Sequence, residues 1–278
     1  MKVALTGASG FVGRYVLAAL MQRDIEIVAV TRDAAKLKDV NKSIRVLELD
    51  LYKDCDFYQN IGAPDALIHL AWDGLPNYKS LHHFETELPR QYTFIKHMVE
   101  SGLSSLFVSG TCFEYGMQSG ELSADAKTEP TNPYGFAKDA LRKQLQFLKG
   151  VKQFNFIWGR LFYMYGEGQL SNSLYPQFKK AALRGDKVFN MSGGEQLRDY
   201  LPIETIAELI VNLTLAQRDL GAINICSGKP ISVRGLVEQW SRENGWKIEL
   251  NLGYYPYPDY EPMEFWGSRS YLDKVLER

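Results

Sequence analysis

The chain has 278 residues, 45% of them hydrophobic and 23% charged, which is enough for about two domains or one large domain with a smaller lobe. Its 32 basic and 33 acidic residues nearly balance, so composition favours neither nucleic acid nor an anionic membrane as a partner. The cysteines, Cys55, Cys112 and Cys226, lack CxxC or Cys/His ligand spacing, so we expect no disulfide framework and no metal site. The apolar start faintly resembles a signal peptide, but glycine, serine and arginine residues between Gly7 and Arg14 break it well short of a membrane-length segment. We therefore expect a cytoplasmic protein.

The apolar runs and glycines predict a strand at residues 3–5, a tight turn and a helix at 11–21. Further strands are predicted at 25–31, 44–49, 66–71, 106–109 and 154–158. Polar stretches that suit helices separate these runs, and their continuous apolarity is typical of strands buried on both faces. The sequence therefore predicts an α/β fold with a doubly wound, Rossmann-like parallel sheet.

Beyond residue 160 the composition shifts to Tyr, Gly and Pro. Helices are predicted at 174–183 and 203–216, and residues 223–226 are expected to rejoin the sheet. The segment 254–262 is so rich in Tyr and Pro that it cannot be an ordinary helix.

Three glycines, Gly7, Gly10 and Gly13, follow the first predicted strand and open the first helix. Positions without a side chain let the backbone approach a pyrophosphate, and a helix N-terminus offers unpaired N–H groups. An ordinary strand-to-helix turn is the alternative, but the place after the first strand favours a dinucleotide. The coenzyme contacts expected here are Thr6, Gly7, Ser9, Gly10, Phe11, Val12, Gly13 and Arg14.

A dinucleotide-binding domain is therefore expected from residues 1–160, with about 198–226 returning to it. Residues 161–197 and 227–278 would form a small C-terminal cap over the substrate. We keep the name "cap" for these two ranges.

The residues after the second strand bear on the choice of coenzyme. An acidic residue there would accept the ribose 2'-hydroxyl of NAD, whereas Arg32 suits the 2'-phosphate of NADP, with Arg14 as a second charge. If Arg32 is only solvated and Asp33 takes the ribose, NAD follows instead. We expect NADP, with NAD as the alternative. Further coenzyme contacts are expected after the third and fourth strands, at Asp50, Leu51, Leu70 and Ala71.

A tyrosine four residues before a lysine places a phenol and an ammonium on one helix face, where the ammonium lowers the phenol pKa from about 10. The chain has three such pairs: Tyr92/Lys96, Tyr134/Lys138 and Tyr175/Lys179. Only Tyr134 follows a buried strand that ends in hydroxyl residues, Ser109 and Thr111. We predict that Thr111, Tyr134 and Lys138 transfer a proton, with an exposed Tyr134/Lys138 pair as the alternative. The other two pairs suit amphipathic helix packing.

Several motifs together resemble one known family. They are TGASGFVG at 6–13, HLA at 69–71, SGTCFEYG at 109–116, PTNPYGFAK at 130–138, YGEGQ at 165–169 and RDY at 198–200. The chain resembles the extended short-chain dehydrogenases/reductases, specifically the nucleotide-sugar epimerases, dehydratases and reductases. The resemblance implies that Thr111 hydrogen-bonds the substrate oxygen and Tyr134 is the acid/base. It also implies that Tyr134 and Lys138 lie at the coenzyme, with Lys138 on the nicotinamide ribose, and that the protein is a homodimer.

The same resemblance implies a set of substrate contacts. Arg198 would grip the diphosphate of a nucleotide sugar through charge-assisted hydrogen bonds, with a surface ion pair to Asp199 as the alternative. Trp72, Thr111 and Tyr163 complete the expected contacts. Tyr163 departs from the family, which usually has asparagine there, and no second diphosphate arginine aligns clearly.

The residues after Thr111 bear on the reaction. Dehydratases of the family have Asp-Glu there, because eliminating water from a sugar needs a carboxylic acid and a carboxylate base. This chain has Cys112 and Phe113, so 4,6-dehydration is not expected, and Glu114 lies on the strand's alternate side. Arg32 and the small cap favour an NADPH-dependent reductase of a dTDP- or GDP-4-keto-6-deoxysugar. The alternatives are a 4-epimerase with bound NAD and, from another class, a non-catalytic NADP-binding sensor or scaffold.

Overall fold

The computed structural model describes residues 1–38, 44–51, 53 and 56–277, so Cys55 lies outside the described residues. The strands are β1 (Lys2–Thr6), β2 (Glu26–Thr31), β3 (Arg45–Glu48), β4 (Ala66–His69), β5 (Ser105–Thr111), β6 (Gly120–Leu122), β7 (Asn155–Leu161), β8 (Tyr163–Tyr165), β9 (Val188–Asn190), β10 (Leu197–Arg198), β11 (Tyr200–Pro202), β12 (Gly221–Ile225), β13 (Ile231–Ser232), β14 (Glu249–Asn251) and β15 (Phe265–Gly267). The α-helices are α1 (Phe11–Leu20), α2 (Phe57–Ile61), α3 (Leu88–Glu100), α4 (Pro133–Lys149), α5 (Leu174–Arg184), α6 (Ile203–Leu215), α7 (Val233–Asn244) and α8 (Ser270–Leu276). Shorter turns of helix cover Ala34–Leu37, His83–Glu87 and Cys112–Tyr115.

Seven strands form one parallel sheet in the order β12-β7-β5-β4-β1-β2-β3. The chain runs outward from β1 to β2 and β3, and then returns to place β4 on the other side of β1. Strand order therefore reverses between β1 and β4, the place where open α/β sheets bind ligands beyond the carboxyl ends of their strands. The predicted α/β, Rossmann-like fold is confirmed.

Helices cover both faces of the sheet. On one face, Leu5 of β1 packs in a cluster with Ile206 of α6; on the other, Ala4 of β1 packs with Phe94 of α3. Successive residues of a strand point to opposite faces, so the continuous apolar run of β1 supplies both cores. The inner predicted strands show this pattern because helices pack on both of their faces, whereas the edge strand β3 has no buried residue.

A separate apolar cluster forms inside the cap. Phe178 of α5, Phe189 of β9 and Trp240 of α7 belong to it. The predicted helices at 174–183 and 203–216 are confirmed as α5 and α6, residues 223–225 lie in β12, and the segment 254–262 contains no helix.

One element of the cap range packs elsewhere. Leu272 and Val275 place α8 in the cluster that covers the sheet, because they give this short helix an apolar face toward the core. The boundaries at 160, 198 and 226 stay a prediction. Over the described ranges, no helix combines the length and the apolar character needed to cross a membrane.

Candidate active site

Two positions at the loop between β1 and α1, Gly7 and Gly13, have no room for a side chain. Gly7 has φ +73°, and a Cβ there would lie 2.8 Å from the backbone nitrogen of Ala71. A Cβ on Gly13 would lie 2.0 Å from the carbonyl oxygen of Gly7, so the first turn of α1 packs directly on the loop. Gly10 is the exposed N-cap of α1 and offers no side-chain cap. The first N–H groups of α1 are therefore suited to receive an anionic group.

We expect Gly7→Ala to abolish coenzyme binding and to lower the free energy of unfolding more than Gly185→Ala does. Both glycines have left-handed φ angles, +73° and +76°, at which a Cβ costs about 1–2 kcal/mol. Only at Gly7 would the Cβ also meet backbone atoms, since nothing lies within 4 Å of it at Gly185. Denaturant unfolding and coenzyme titration of both variants measure the difference. Equal stability losses with unchanged coenzyme affinity would show that glycine is needed at position 7 only for the left-handed φ angle.

A buried hydrogen-bond chain supports this loop from below. The Thr6 hydroxyl lies 2.8 Å from Nδ1 of His69, and Nε2 of His69 lies 2.7 Å from Oε1 of Gln91. The Gln91 amide donates to Glu87 at 2.9 Å, so His69 donates from Nε2 and accepts at Nδ1. Burial, together with the nearby Lys138, lowers the pKa of His69 to about 3, so the ring is neutral. Thr6 was expected to contact the coenzyme, but it is fully buried beneath the loop and hydrogen-bonds His69 instead.

The residues expected at the adenosine end lie beyond β2 and β3. The Arg32 side chain is 60% exposed, and its Nη1 lies 3.3 Å from the carboxylate of Asp73. Asp33 accepts a hydrogen bond from the backbone N–H of Ala35 at 3.1 Å and caps the following turn. The other expected coenzyme contacts are exposed or half-buried: Ser9, Phe11, Val12, Arg14, Asp50, Leu51, Leu70 and Ala71.

Thr111, Tyr134 and Lys138 meet at the carboxyl end of β5. Thr111 ends this strand, whereas Tyr134 and Lys138 lie one turn apart at the start of α4, which Asn132 caps by accepting from the Gly135 N–H at 2.8 Å. The Thr111 side chain faces the Tyr134 phenol and acts to lower its pKa. Nζ of Lys138 lies 5.9 Å from the centroid of the Tyr134 ring. The structure thus brings the predicted trio together.

Burial governs the protonation of the phenol and the ammonium. It raises the pKa of Tyr134, with Tyr78 and Glu114 adding to the effect, and it lowers the pKa of Lys138 to about 7 against the pull of Glu114. Nζ of Lys138 donates to the Ser109 carbonyl oxygen at 2.9 Å. The expectation that the lysine lowers the phenol pKa is therefore wrong for this arrangement, because loss of hydration outweighs the positive charge. The phenol stays protonated at neutral pH, which is the form of a proton donor.

The other two Tyr/Lys pairs lie away from this edge. Tyr92 packs against the sheet cluster, and Lys96 pairs with Glu100 at 2.7 Å. Tyr175 packs in the cap, with its ring centroid 4.9 Å from that of Trp240. The predicted amphipathic packing of both helices is confirmed.

A buried ion pair fixes the turn that follows Thr111. The Glu114 carboxylate accepts from the Thr111 backbone N–H at 2.9 Å, from Nε1 of Trp158 at 2.8 Å and from Nε of Arg160 at 2.7 Å. Both charged side chains are almost completely buried. Because Glu114 is held beneath the sheet edge, the segment after Thr111 offers no carboxylate to a substrate, and Cys112 is buried as well.

Arg198 lies buried at the base of the cap, with protein acceptors around its guanidinium. Nε and Nη2 lie 3.3 and 3.0 Å from the Glu261 carboxylate, and Nη1 donates to the carbonyl oxygens of Leu197 and Met263. Asp199 does not pair with it and instead accepts hydrogen bonds from backbone N–H groups. A diphosphate would have to share or displace Glu261 to reach Arg198.

The two remaining expected substrate contacts, Tyr163 and Trp72, lie in different surroundings. The Tyr163 hydroxyl is buried near the Glu261 carboxylate without a hydrogen bond of good geometry, and burial raises its pKa. Trp72 packs on Lys138, whose Nζ lies 4.0 Å from the indole centroid, and it donates to His83. Glu261 and His83 were not predicted as site residues from the sequence. A signal for His83 was available, because a histidine pair follows the fourth predicted strand.

Residues 3–226 match the family model described as the NAD dependent epimerase/dehydratase family. The chain is similar to the dTDP-6-deoxy-L-talose 4-dehydrogenase (NAD(+)) of Aggregatibacter actinomycetemcomitans, with 30% identity over 97% of this chain and 100% of the relative. It is 24% identical to the GDP-6-deoxy-D-talose 4-dehydrogenase of the same organism, over 84% and 76% of the two chains. A solved UDP-N-acetylglucosamine 4-epimerase from Methanobrevibacter ruminantium M1 shares the fold with a TM-score of 0.87 at 22% identity, covering 99% of this chain and 91% of that one. By its sequence match and its fold, the chain belongs to the NAD dependent epimerase/dehydratase family.

Proposed function

We propose that the protein is an NAD(P)-dependent reductase of a nucleoside-diphosphate 4-keto-6-deoxysugar, a dTDP or GDP sugar, with NADPH as the hydride donor. The observation that carries the proposal is the meeting of Thr111, Tyr134 and Lys138 at the carboxyl end of β5, with Nζ of Lys138 5.9 Å from the centroid of the Tyr134 ring. Two similar proteins are named as 4-dehydrogenases of 6-deoxytalose nucleotides. A 4-dehydrogenase and a 4-keto reductase catalyse one reaction in opposite directions, so these names support the sugar class.

The residues at the start of the chain fit a dinucleotide. Gly7 and Gly13 leave no space for a Cβ, and Gly10 opens a helix N-terminus that no side chain caps. This combination suits a pyrophosphate, which accepts hydrogen bonds from backbone N–H groups. Bound NAD(P)H would supply a hydride to the keto carbon of the sugar.

The chain's own side chains would move one proton. Tyr134 would give its hydroxyl proton to the C4 oxygen, so that the carbonyl becomes an alcohol, while the Thr111 hydroxyl orients that oxygen. The raised pKa keeps Tyr134 protonated until the transfer. A protonated Lys138 would then stabilise the phenolate that remains, and the reverse steps would oxidise the alcohol.

We also propose a preference for NADP over NAD, because Arg32 follows β2, and an arginine after this strand can accommodate a 2'-phosphate. We expect Arg32→Gln to raise the Kd of NADPH about 10- to 100-fold, since a hydrogen bond to a charged group contributes about 1.5–3 kcal/mol, and to leave the Kd of NADH nearly unchanged. Asp73→Asn should tighten NADPH binding, because Asp73 competes for Arg32. Fluorescence titration measures these constants, with Arg184→Gln as an exposed control in the cap. Tighter binding of NADH by the unmodified protein would reverse the preference.

The proposed reaction is tested with NADPH and dTDP- or GDP-4-keto-6-deoxysugars while the nicotinamide absorbance is followed. We expect stoichiometric consumption of NADPH. A changed sugar without consumption, with NAD co-purifying, would identify a 4-epimerase instead. Intact coenzyme binding without turnover across a nucleotide-sugar panel would point to a sensor or scaffold.

A homodimer is also proposed. On α4, Phe136 and Phe147 are 51% and 81% exposed, and eleven residues make about three turns, so both lie on one helix face. Two exposed phenylalanines on one face of a core helix suit contact with a second copy of the chain. Light scattering on the purified protein should give twice the chain mass, and Phe147→Glu should give the monomer mass.

A further inference from the structure

Lys138 is held on two sides by groups that favour its charged form. Its side chain is almost completely buried, Nζ donates to the Ser109 carbonyl oxygen at 2.9 Å, and Nζ lies 4.0 Å from the centroid of the Trp72 indole. A cation over the face of a tryptophan is attracted by the ring quadrupole, most strongly where water is excluded. The ammonium is thus fixed in direction as well as in position.

The indole is itself fixed. Its Nε1–H donates to Nδ1 of His83 at 3.1 Å, and Nε2–H of His83 donates to the Asn77 carbonyl oxygen at 2.8 Å. These two bonds require the neutral ring with its proton on Nε2. Burial lowers the pKa of His83, which agrees with that tautomer. The ring of His83 also lies 5.2 Å from that of Tyr134.

We propose that Trp72 is a positioning residue for the reaction proposed above, which holds the Lys138 ammonium against its indole face while His83 orients the indole. The catalytic role of this arrangement rests on the proposed function, whereas the contact between Trp72 and Lys138 is seen in the structure. It replaces the substrate contact that the sequence analysis assigned to Trp72. The aromatic face supplies a partner that a buried ammonium would otherwise find in water.

Other titratable groups act on Lys138 as well. The carboxylates of Glu114 and Glu87 attract the ammonium, from the turn after β5 and from the turn before α3. His69 and His83 interact with it from β4 and from the turn before α3, and Tyr134 lies on the same helix. Glu114, Glu87 and His69 keep their own hydrogen bonds when Trp72 is replaced. His83 loses the indole N–H at its Nδ1 in the leucine and phenylalanine variants alike, so the comparison of these two variants isolates the aromatic face.

The test measures the pKa of Lys138 directly in the full-length protein. Lysine labelled at Cε is followed by NMR as a function of pH, and the signal absent from Lys138→Arg assigns the residue. We expect Trp72→Leu to lower the Lys138 pKa by about one unit, a tenfold change in the protonation equilibrium, because an aliphatic side chain leaves burial unopposed. Trp72→Phe should fall between the two, since phenylalanine has a weaker face. Trp246→Leu, in the cap cluster, should leave the value unchanged.

An unchanged Lys138 pKa in both Trp72 variants would overturn the proposal. If Trp72→Leu does not fold, Trp72→Phe still decides it. The measurement needs neither coenzyme nor substrate, so a failed reductase assay leaves it intact. With turnover available, the alkaline limb of kcat/KM should move to lower pH in Trp72→Leu, because Lys138 loses its proton earlier. A loss of turnover with an unmoved Lys138 pKa would instead make Trp72 a substrate contact and refute the positioning role.

Discussion

Replacing Tyr134 with phenylalanine should lower turnover of the 4-keto sugar by about 100- to 10,000-fold, the range for removal of a general acid. The aromatic ring remains, and with it the contacts to Trp72, Tyr78 and His83. Only the hydroxyl that meets Thr111 is lost. We therefore expect little change in the Kd of NADPH, in the Kd of the nucleotide sugar or in the free energy of unfolding. Steady-state kinetics, calorimetric titration and denaturant unfolding measure the four quantities.

The matched control is Tyr175→Phe. Tyr175 also stands four residues before a lysine, but its hydroxyl lies 3.3 Å from Glu167 in the cap, far from the Thr111 edge in the fold. This variant should keep its turnover. Near-full turnover in Tyr134→Phe would remove the general acid from the proposal, and equal losses in both variants would mean that the assay reports folding.

Replacing Glu114 with glutamine should lower the free energy of unfolding by about 3–5 kcal/mol, because breaking a buried ion pair leaves an uncompensated charge. The charge left behind is Arg160, which is 1% exposed and whose Nη1 bonds to Tyr115 and to the Ala124 carbonyl cannot neutralise it. The turn after Thr111 would also loosen. We therefore expect turnover to fall together with stability.

Two further variants separate charge from packing. Glu238→Gln breaks the exposed Arg234–Glu238 pair on α7 and should cost less than about 0.5 kcal/mol. The double variant Glu114→Met with Arg160→Met should recover much of the lost stability, since apolar groups often replace a buried ion pair without loss. Denaturant unfolding compares all of them. A cost for Glu114→Gln as small as that for Glu238→Gln would show that the buried pair is not what fixes this turn.

The sequence alone was sufficient for those features that depend on neighbouring residues. Continuous apolar runs predicted the parallel strands, and the glycines from Gly7 to Gly13 predicted the tight turn between β1 and α1, because turn geometry and helix starts are local. The Tyr134/Lys138 pair was separated from two similar pairs by its place after a strand ending in Thr111. The structure brings this pair to the end of β5, and its function stays a prediction.

Only the tertiary structure decided which side chains meet across that edge. Trp72 covers Lys138, and Glu261 pairs with Arg198, although long stretches of chain separate the partners. No spacing rule reports such contacts, because they arise where loops from different strands converge. Burial also reversed the expected direction of the Tyr134 pKa. The lysine four residues away can be read from the sequence, whereas the loss of water around the phenol depends on every element packed over it.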